Sequence, residues 1–302
     1  MKKLKFLISL HTRENDFQMA QATSAEDASR KLGVQSEIVF AENDAVNQST
    51  QILQAIQTSA DARPDAIVLE PVSGTALPQV ARAACSAGIG WAILNRTPDY
   101  VPDLRRIAKA PIFSISSDHE EIGRIQGKQF AALLPKGGSI LYIEGPSQSS
   151  SAQKRTAGML RTKPANIQVS TLRGHWTEDS AEKAVSSWLK LATSQNAAID
   201  LVGAQDDAMA MGARKAFENI LNETERARWL RLPFTGCDGL PRTGQAWVRD
   251  GYLAATICVP PLAGQAVEIL AKAIQSGVQP PEHPLSSPSS FPALESLTAR
   301  KR

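Results

Sequence analysis

Two adjacent carboxylates lie in the middle of the segment "LVGAQDDAMAMGARKAF", which spans residues 201–217. The segment begins as an apolar run typical of a buried strand and continues as an Ala-rich stretch typical of a helix. Asp206 and Asp207 therefore stand where a strand ends and a helix begins. One acid at this place can cap the helix by accepting its free N–H groups. The second acid is left for other chemistry.

Polar side chains also follow the other predicted strands. In parallel α/β sheets, ligands bind outside the carboxyl ends of the strands, so these are the residues that can contact a ligand. They are Asn15, Asp16, Phe17, Gln18, Glu70, Asn95, Arg96, Asp118, His119, Gln205, Asp206, Asp207 and Asp238. Carboxylates and guanidinium groups form strong hydrogen bonds with hydroxyls, and aromatic faces cover C–H patches. The set therefore predicts a site for a sugar-like polyol.

Short apolar segments alternate with helical segments along the chain, which predicts βαβ units with parallel sheets. The alternation is long enough for two sheets, and the segments beginning at Asp65 and Asp200 share one plan of apolar strand, polar loop and Ala-rich helix. We therefore predict an α/β fold of two Rossmann-like lobes, each a parallel sheet flanked by helices. The Pro- and Ser-rich tail after Ser276 is expected to be extended and to lie on the surface.

Composition excludes several classes of function. The net charge of +3 is spread over 302 residues without a block of like charges, so no nucleic-acid partner is expected. Cys85, Cys237 and Cys258 are isolated, which predicts neither a disulfide framework nor a zinc site, and buried inert thiols are expected. The four histidines lack metal-ligand spacing. No cofactor and no metal are predicted.

The order and spacing of six segments resemble the type I periplasmic binding proteins of the ribose-binding kind, whose fold also forms the effector domain of lac-repressor-like regulators. The resemblance covers nearly the whole chain and is weakest in the last twenty or so residues. Its segments are "DAIVLEPVSGTAL", "AGIGWAILNR", "SDHEEIGRIQGKQF", "ILYIEGPSQSSSAQKRTAGM", "AQDDAMAMGARKAF" and "TGCDGLPRTGQAWVRDGYLAATICVPPLAGQ".

The resemblance implies a sugar held in a cleft by residues of both lobes. It implies that the ligand-binding residues are Asn15, Phe17, Gln18, Asn95 and Arg96 from the first lobe, with Arg155, Trp176, Asp206 and Asp238 from the second. In this arrangement Asp207 caps its helix, and Asp206 points into the cleft to accept hydrogen bonds from ligand hydroxyls.

The chain departs from the family pattern at four positions, three of them among these residues. Asn95 stands where the sugar binders usually have aspartate, and Asp206 where they usually have asparagine. Val259 replaces a glutamine that often precedes the proline, and Gln18 replaces a second aromatic residue. Because a site built for particular hydroxyls rejects analogues that lack them, these replacements argue against ribose itself as the ligand.

Three chain crossings are expected to join the lobes and to act as a hinge. They are predicted near Ser116–Ser117, near Val259–Pro260 and at Val278–Pro281. The first lobe is then residues 1–116 plus 260–280, and the second is residues 117–259 plus 281–302. A ligand that contacts both lobes favours the closed form.

Three classes of function compete. The first is the substrate-binding protein of an ABC-type sugar transporter, a monomer that binds a monosaccharide or similar polyol and delivers it to a membrane permease. The second is a ligand-sensing protein related to the repressor effector domains, acting without a DNA-binding domain of its own. The third, an α/β enzyme, is not favoured because GxGxxG after the first strand, GxxxxGK[ST] and GxSxG are all absent.

The N-terminal residues bear on localisation. The apolar run of "MKKLKFLISLHTREND" is cut short by His11, Arg13 and Glu14, so it predicts a strand rather than a secretory signal. The resemblance implies the periplasm, and the lack of a signal in this sequence favours the cytoplasm. The family expectation is the primary one, with the cytoplasm as the alternative.

Overall fold

The computed structural model describes residues 3–72, 74–191, 194 and 197–297. The end of the helix predicted for residues 179–193 and the last five residues of the tail lie outside the described residues. Within them, no helix is both long enough and apolar enough to cross a membrane.

Twelve strands are described, and most are short and apolar. They are β1 (Lys5–Leu10), β2 (Gln35–Phe40), β3 (Ala66–Leu69), β4 (Gly90–Leu94), β5 (Ile112–Ser117), β6 (Gly138–Glu144), β7 (Ile167–Arg173), β8 (Leu201–Ala204), β9 (Phe234–Thr235), β10 (Thr256–Cys258), β11 (Leu285–Ser286) and β12 (Ser289–Phe291).

Helices separate most of these strands in the described part of the chain. They are α1 (Asp16–Leu32), α2 (Ala45–Gln57), α3 (Pro78–Ser86), α4 (Val101–Ile107), α5 (His119–Leu133), α6 (Ser150–Thr162), α7 (Glu178–Leu189), α8 (Asp207–Glu218), α9 (Glu223–Leu230), α10 (Gly244–Arg249) and α11 (Ala263–Ser276).

The chain forms two compact units. Unit 1 comprises residues 1–117 and 261–286, and unit 2 comprises residues 118–260 and 287–302. The third boundary falls later than the sequence predicts, so assigning residues 281–286 to the second lobe is wrong. The physical reason is strand pairing: β11 pairs in parallel with β5 of unit 1, with Leu285 opposite Ser116 and Ser286 opposite Ser117.

Unit 1 is built on a six-stranded sheet in the order β11-β5-β4-β3-β1-β2. Every neighbouring pair is parallel, so the carboxyl ends of the strands meet at one edge. One apolar cluster packs α1 and α11 on one face, and a second packs α2, α3 and α4 on the other. Because both faces are covered, β3 and β4 are buried at every residue.

Unit 2 contains a parallel four-stranded sheet in the order β7-β6-β8-β9. Isolated parallel bridges from Thr235 to Ala255 and from Asp238 to Cys258 continue it toward β10, which pairs antiparallel with β12. Phe217 stacks on Trp229 with ring centroids 4.8 Å apart, within the core on the side of α7 and α8. The predicted α/β class with parallel sheets flanked by helices is therefore confirmed.

Several elements differ from the sequence predictions. The sequence pattern predicts a helix over residues 74–87, but α3 begins at Pro78, because Ala76 and Leu77 adopt positive φ angles that a helix does not allow. Helices α4, α9 and α10 were not expected. The tail is largely extended as predicted, but it also pairs with both units through β11 and β12.

Candidate functional site

The first predicted residues of unit 1 lie where β1 runs into α1. Asn15 is the N-cap of α1, and its Oδ1 accepts the N–H of Gln18 at 3.0 Å. Phe17 is half-buried in the first turn. Gln18 is buried, and its amide is engaged at both ends: Oε1 accepts the N–H of His11 at 2.9 Å, and Nε2 donates to Glu70. The direct ligand roles of these three residues stay predictions.

Glu70 is the centre of the polar cluster in unit 1. It belongs to the strand-end residues predicted to be able to contact a ligand, although it is not among the nine that the family resemblance implies. It directly follows β3 and is 7% exposed. Its Oε2 accepts Gln18 Nε2 at 3.0 Å and Gln21 Nε2 at 3.3 Å, and its Oε1 accepts Asn95 Nδ2 at 3.0 Å. Its position directly after a buried strand is the sequence feature that predicts a place at the edge of the sheet.

Asn95 and Arg96 follow β4 at the same edge of the sheet. Asn95 is buried and has a φ of 56°, a left-handed conformation that asparagine tolerates better than most residues. Arg96 is half-buried and donates from Nη1 to the carbonyl of Asn95 at 3.0 Å. Near them, burial lowers the pKa of His11, whose Nε2 lies 2.9 Å from the carbonyl oxygen of Pro71. The strand-end cluster of unit 1 is defined as Gln18, Gln21, Glu70 and Asn95.

The second predicted set lies at the strand ends of unit 2. Arg155, on α6, is 6% exposed and donates from Nη1 to the carbonyl of Gln205. Its guanidinium carbon lies 5.6 Å from the ring centroid of Trp176. It also interacts electrostatically with Asp206 and Asp238. We define the strand-end cluster of unit 2 as Arg155, Trp176, Asp206 and Asp238, the four residues predicted for that lobe.

Trp176 is held in an unusual backbone conformation after β7, with a φ of 64°. Its ring covers Gly145, the residue after β6, so closely that an added Cβ on Gly145 would overlap the indole. A bulky residue at positive φ stores strain, and such strain concentrates at binding sites. The indole therefore has a fixed place beside Arg155, suited to covering the C–H face of a ligand.

The roles predicted for the two adjacent acids are wrong in one respect. Asp206, not Asp207, is the N-cap of α8, and its Oδ1 accepts the N–H of Met209 at 2.6 Å. Asp207 is the first helical residue; its Oδ1 accepts Thr256 Oγ1 at 2.6 Å and its Oδ2 accepts the N–H of Gly239 at 2.8 Å. The helix begins one residue earlier than predicted, so Asp207 turns inward and ties α8 to the loop after β9.

Asp238 stands in that loop, with a φ of 107°. Its backbone is fixed by β10, since its N–H donates to Ile257 and its carbonyl accepts from Val259, both at 3.0 Å. Cys237 beside it is fully buried, and burial raises the pKa of its thiol. Cys85 and Cys258 are only half-buried, so the expectation that all three thiols are buried is wrong for these two.

Burial changes the acidity of both adjacent aspartates. It raises the pKa of Asp206 to about 6, against the opposing effects of the Met209 N–H and the Arg155 charge. It raises the pKa of Asp207 to about 8, against the hydrogen bonds from Thr256 and Gly239. Asp207 is thus a structural acid that is protonated more readily than a surface carboxyl.

The raised pKa of Asp207 predicts a pH dependence of stability. Between its ordinary pKa of 3.8 and the folded value of about 8, the folded state holds a proton that the unfolded state releases. The free energy of unfolding is therefore expected to fall as the pH rises through this window. In Asp207→Asn the fall should be shallower, with the part due to Asp206 remaining, in urea titrations at pH 5, 6, 7 and 8. An unchanged slope would contradict the assignment, and Asp179→Asn, an exposed acid on α7, is the matched control.

The two clusters, each within its own unit, differ in chemistry. Unit 1 offers a fixed carboxylate surrounded by amides, and unit 2 offers a guanidinium, two carboxyls and an indole. In the described residues, no group of three or more His, Cys, Asp and Glu side chains is placed to hold a metal ion. Arg155 Nε is buried and donates to no residue within that part of the chain. Both clusters suit a neutral molecule rich in hydroxyl groups.

Comparison with known proteins identifies the family. The sequence model described as the periplasmic binding protein domain matches residues 6–277, which is most of the chain. The chain belongs to the periplasmic binding protein family. The resemblance seen in the sequence is therefore confirmed.

Individual members of the family show the degree of similarity. The D-ribose/D-allose-binding protein of Pseudomonas aeruginosa is 24% identical over 218 residues, which is 71% of this chain and 66% of that protein, just under two thirds of its length. The ribose import binding protein RbsB of Bacillus subtilis is 23% identical over 260 residues, covering 86% of this chain and 77% of that protein.

A solved structure extends the comparison to the fold. An ABC transporter periplasmic solute binding protein from Actinobacillus succinogenes, with bound D-allose, superposes with a TM-score of 0.81. Its sequence is 21% identical, and the match covers 95% of this chain and 97% of that chain. These family members are binding proteins, which agrees with the expectation that the chain is not an enzyme.

Proposed function

We propose that this periplasmic binding protein is the substrate-binding component of an ABC-type sugar transporter. It binds a monosaccharide or similar polyol through residues of both units and closes around it by a hinge motion at the chain crossings. The observation that carries the proposal is the strand-end cluster of unit 2. A buried guanidinium with a spare N–H donor lies beside an indole face and two carboxyls.

The nature of the groups supports a neutral hydroxylated ligand. A hydroxyl group both donates and accepts hydrogen bonds, so it can satisfy Arg155 and a carboxylate such as Asp206 or Glu70. The names of the Pseudomonas and Bacillus relatives include ribose, whereas Asn95 and Asp206 depart from the family's usual residues. We therefore favour a polyol other than ribose.

Membership of the periplasmic binding protein family supports a proposal for the cellular setting. The chain acts in the periplasm and delivers its ligand, as a monomer, to the membrane permease of the transporter, with no nucleic acid as partner. The relatives named above are binding and import proteins, which favours transport over the ligand-sensing alternative.

A thermal-shift screen tests this function directly. Pentoses, hexoses, inositols and amino sugars are added singly to the full chain, and a ligand that binds the folded state raises its melting temperature by mass action. Titration calorimetry of each positive compound then gives the Kd. A positive shift with a pentose, hexose or inositol is the expected result, and no shift with any of the polyols would contradict the proposal.

The contribution of Asp206 can be measured with Asp206→Asn. The amide keeps an oxygen for the Met209 N–H and so preserves the helix cap, but it removes the charge offered to a ligand hydroxyl. A hydrogen bond to a charged group contributes about 1.5–3 kcal/mol, so the Kd should rise about 10- to 150-fold in calorimetry. Asp179→Asn, an exposed acid in the first turn of α7, should leave the Kd unchanged.

Arg96→Ala tests the unit 1 set in the same way. Its guanidinium follows β4 and is half-buried, and a rise in Kd of similar size is expected. An unchanged Kd in both Arg96→Ala and Asp206→Asn would show that these residues do not contact the ligand.

A further inference from the structure

Glu70 stands at the junction of four strand ends in unit 1. It follows β3 itself, and Gln18 connects it to the N–H of His11 after β1. Asn95 connects it to the end of β4 and, through its Oδ1, to the N–H of Ser117 at the end of β5, 3.5 Å away. No sequence motif or family match assigns this arrangement a role.

Gln21 extends the same network in another direction. Its Nε2 donates to Glu70, and its Oε1 accepts the N–H groups of Leu262 and Ala263 at 2.7 and 2.8 Å. Gln21 is fully buried, so these bonds do not compete with water. The amide therefore spans the distance from the Glu70 carboxylate to the start of α11.

The two ends of this network coincide with chain boundaries. Ser117 is the last residue of unit 1 before the chain enters unit 2, and Leu262 is the second residue after it returns. The N–H of Ser117 donates to the Asn95 amide oxygen, and the N–H of Leu262 donates to that of Gln21. The NH₂ group of each of these amides donates to the Glu70 carboxylate. A displacement of the Glu70 carboxylate is therefore transmitted to Ser117 through Asn95 and to Leu262 through Gln21.

We propose that Glu70, Asn95 and Gln21 couple ligand binding to the chain crossings at Ser117 and Leu262, with Glu70 as the ligand-contacting residue and Gln21 as a positioning residue. The coupling rests on the proposed function. A carboxylate has about four acceptor positions, and three are filled by amides, so one remains for a ligand hydroxyl. A hydroxyl bound there fixes the carboxylate further, and the amides transmit this restraint to the two segments.

Hydrogen exchange in the ligand-free full chain tests the network without any ligand. In Glu70→Gln an NH₂ group must face either Asn95 Nδ2 or the two glutamine donors, so part of the network breaks. The amides at the end of the broken branch, either Ser117 or Leu262 with Ala263, should exchange about tenfold faster, although residue 70 accepts a hydrogen bond from none of them. The amide of Ile112, held by Gln279 Oε1 at 3.2 Å at the opposite end of β5, is the control and should not change.

The ligand-bound state supplies the second test, with a polyol found by the screen. Saturating polyol should slow exchange at Ser117, Leu262 and Ala263 in the unchanged protein, and Gln21→Met should reduce this protection and raise the Kd about tenfold. Gln51→Met removes a comparable amide of unit 1, which donates to the carbonyl of Phe40 and not to Glu70, and should leave the Kd unchanged.

Failure of the coupling and failure of the proposed function give different results. Unchanged exchange at the three amides in ligand-free Glu70→Gln overturns the coupling, as does a Kd for Gln21→Met no higher than that of Gln51→Met. If Glu70→Gln does not fold, exchange is measured at Ser117 in ligand-free Gln21→Met, because Ser117 is connected to Gln21 only through Asn95 and Glu70. Unchanged exchange at Ser117 then overturns the coupling. Accelerated exchange without binding of any polyol supports the network and contradicts the transport function.

Discussion

Replacing Gly158 by alanine is expected to lower the free energy of unfolding by about 2 kcal/mol and to weaken ligand binding. Helices α5 and α6 touch through their backbones here. A Cβ on Gly158 would overlap the carbonyl oxygen of Glu120 and lie 2.9 Å from the N–H nitrogen of Arg124. These are backbone atoms, so relief requires the helices to move apart.

Two opposing effects set the size of this change. Overpacking against a rigid neighbour costs about 1–3 kcal/mol and occasionally more. Alanine gains about 1 kcal/mol over glycine in a helix interior, which offsets part of that cost. Because backbone atoms move least, the overpacking cost should exceed the gain in helix propensity. Urea unfolding of Gly158→Ala and of the wild-type protein measures the difference in their free energies of unfolding. Gly74→Ala, where an added Cβ meets nothing within 4 Å, is the control, and equal stabilities would refute the close contact.

Ligand affinity should respond to the same substitution because α6 also carries Arg155. Gly123 of α5 approaches the carbonyl of Arg155 so closely that an added Cβ would overlap it. Separating the two helices therefore displaces the guanidinium from Trp176 and from the two acids. The Kd of Gly158→Ala is expected to rise, whereas that of Gly74→Ala is not.

Removal of the guanidinium itself should have the larger effect on binding. Arg155→Met is expected to raise the Kd about 100-fold or more, because a charged donor to a ligand contributes about 1.5–3 kcal/mol per hydrogen bond. Methionine keeps an unbranched apolar stem against Trp176. Loss of the hydrogen bond to Gln205 is offset in part by no longer burying a cation, so stability should change less than affinity.

Arg161→Met is the matched control for this result. Arg161 lies on the same helix with 65% of its side chain exposed, and its ion pair with Glu120 is on the surface, where such pairs contribute little. Calorimetry should find the Kd of the control unchanged. If the Kd of Arg155→Met lies within threefold of the wild-type value, Arg155 does not contribute to ligand binding.

Much of the fold could be predicted because its strands are covered on both faces. Buried runs such as β3 and β4 carry only apolar residues, and the helical stretches between them have apolar positions at helical spacing. The tail could not be predicted in this way. Its strands β11 and β12 have two and three residues, too short for a periodic pattern, and depend on pairing with β5 and β10.

For the candidate site, positions were easier to predict than roles. Asp206 and Asp207 lie where a strand ends and a helix begins, as predicted, but which acid caps α8 depends on a one-residue choice of helix start that both side chains satisfy. Gln18, Glu70 and Asn95 were predicted as strand-end residues, but Gln21 and the hydrogen bonds that join the four into one cluster were not. Three of its members are amides, whose partners are fixed by tertiary contacts between α1, β3 and β4 and leave no local pattern.

Because β11 completes the sheet of unit 1 and α11 fills its core, the first unit is assembled from two separate stretches of the gene. A protein truncated after Ser117 would lack the apolar residues of α11 that pack against α1, so it should fail to fold. Exchange of whole units between family members by recombination therefore requires three matched junctions. If the strand-end residues bind the ligand as proposed, their mutation changes specificity without any junction, which makes it the easier evolutionary route to a new ligand.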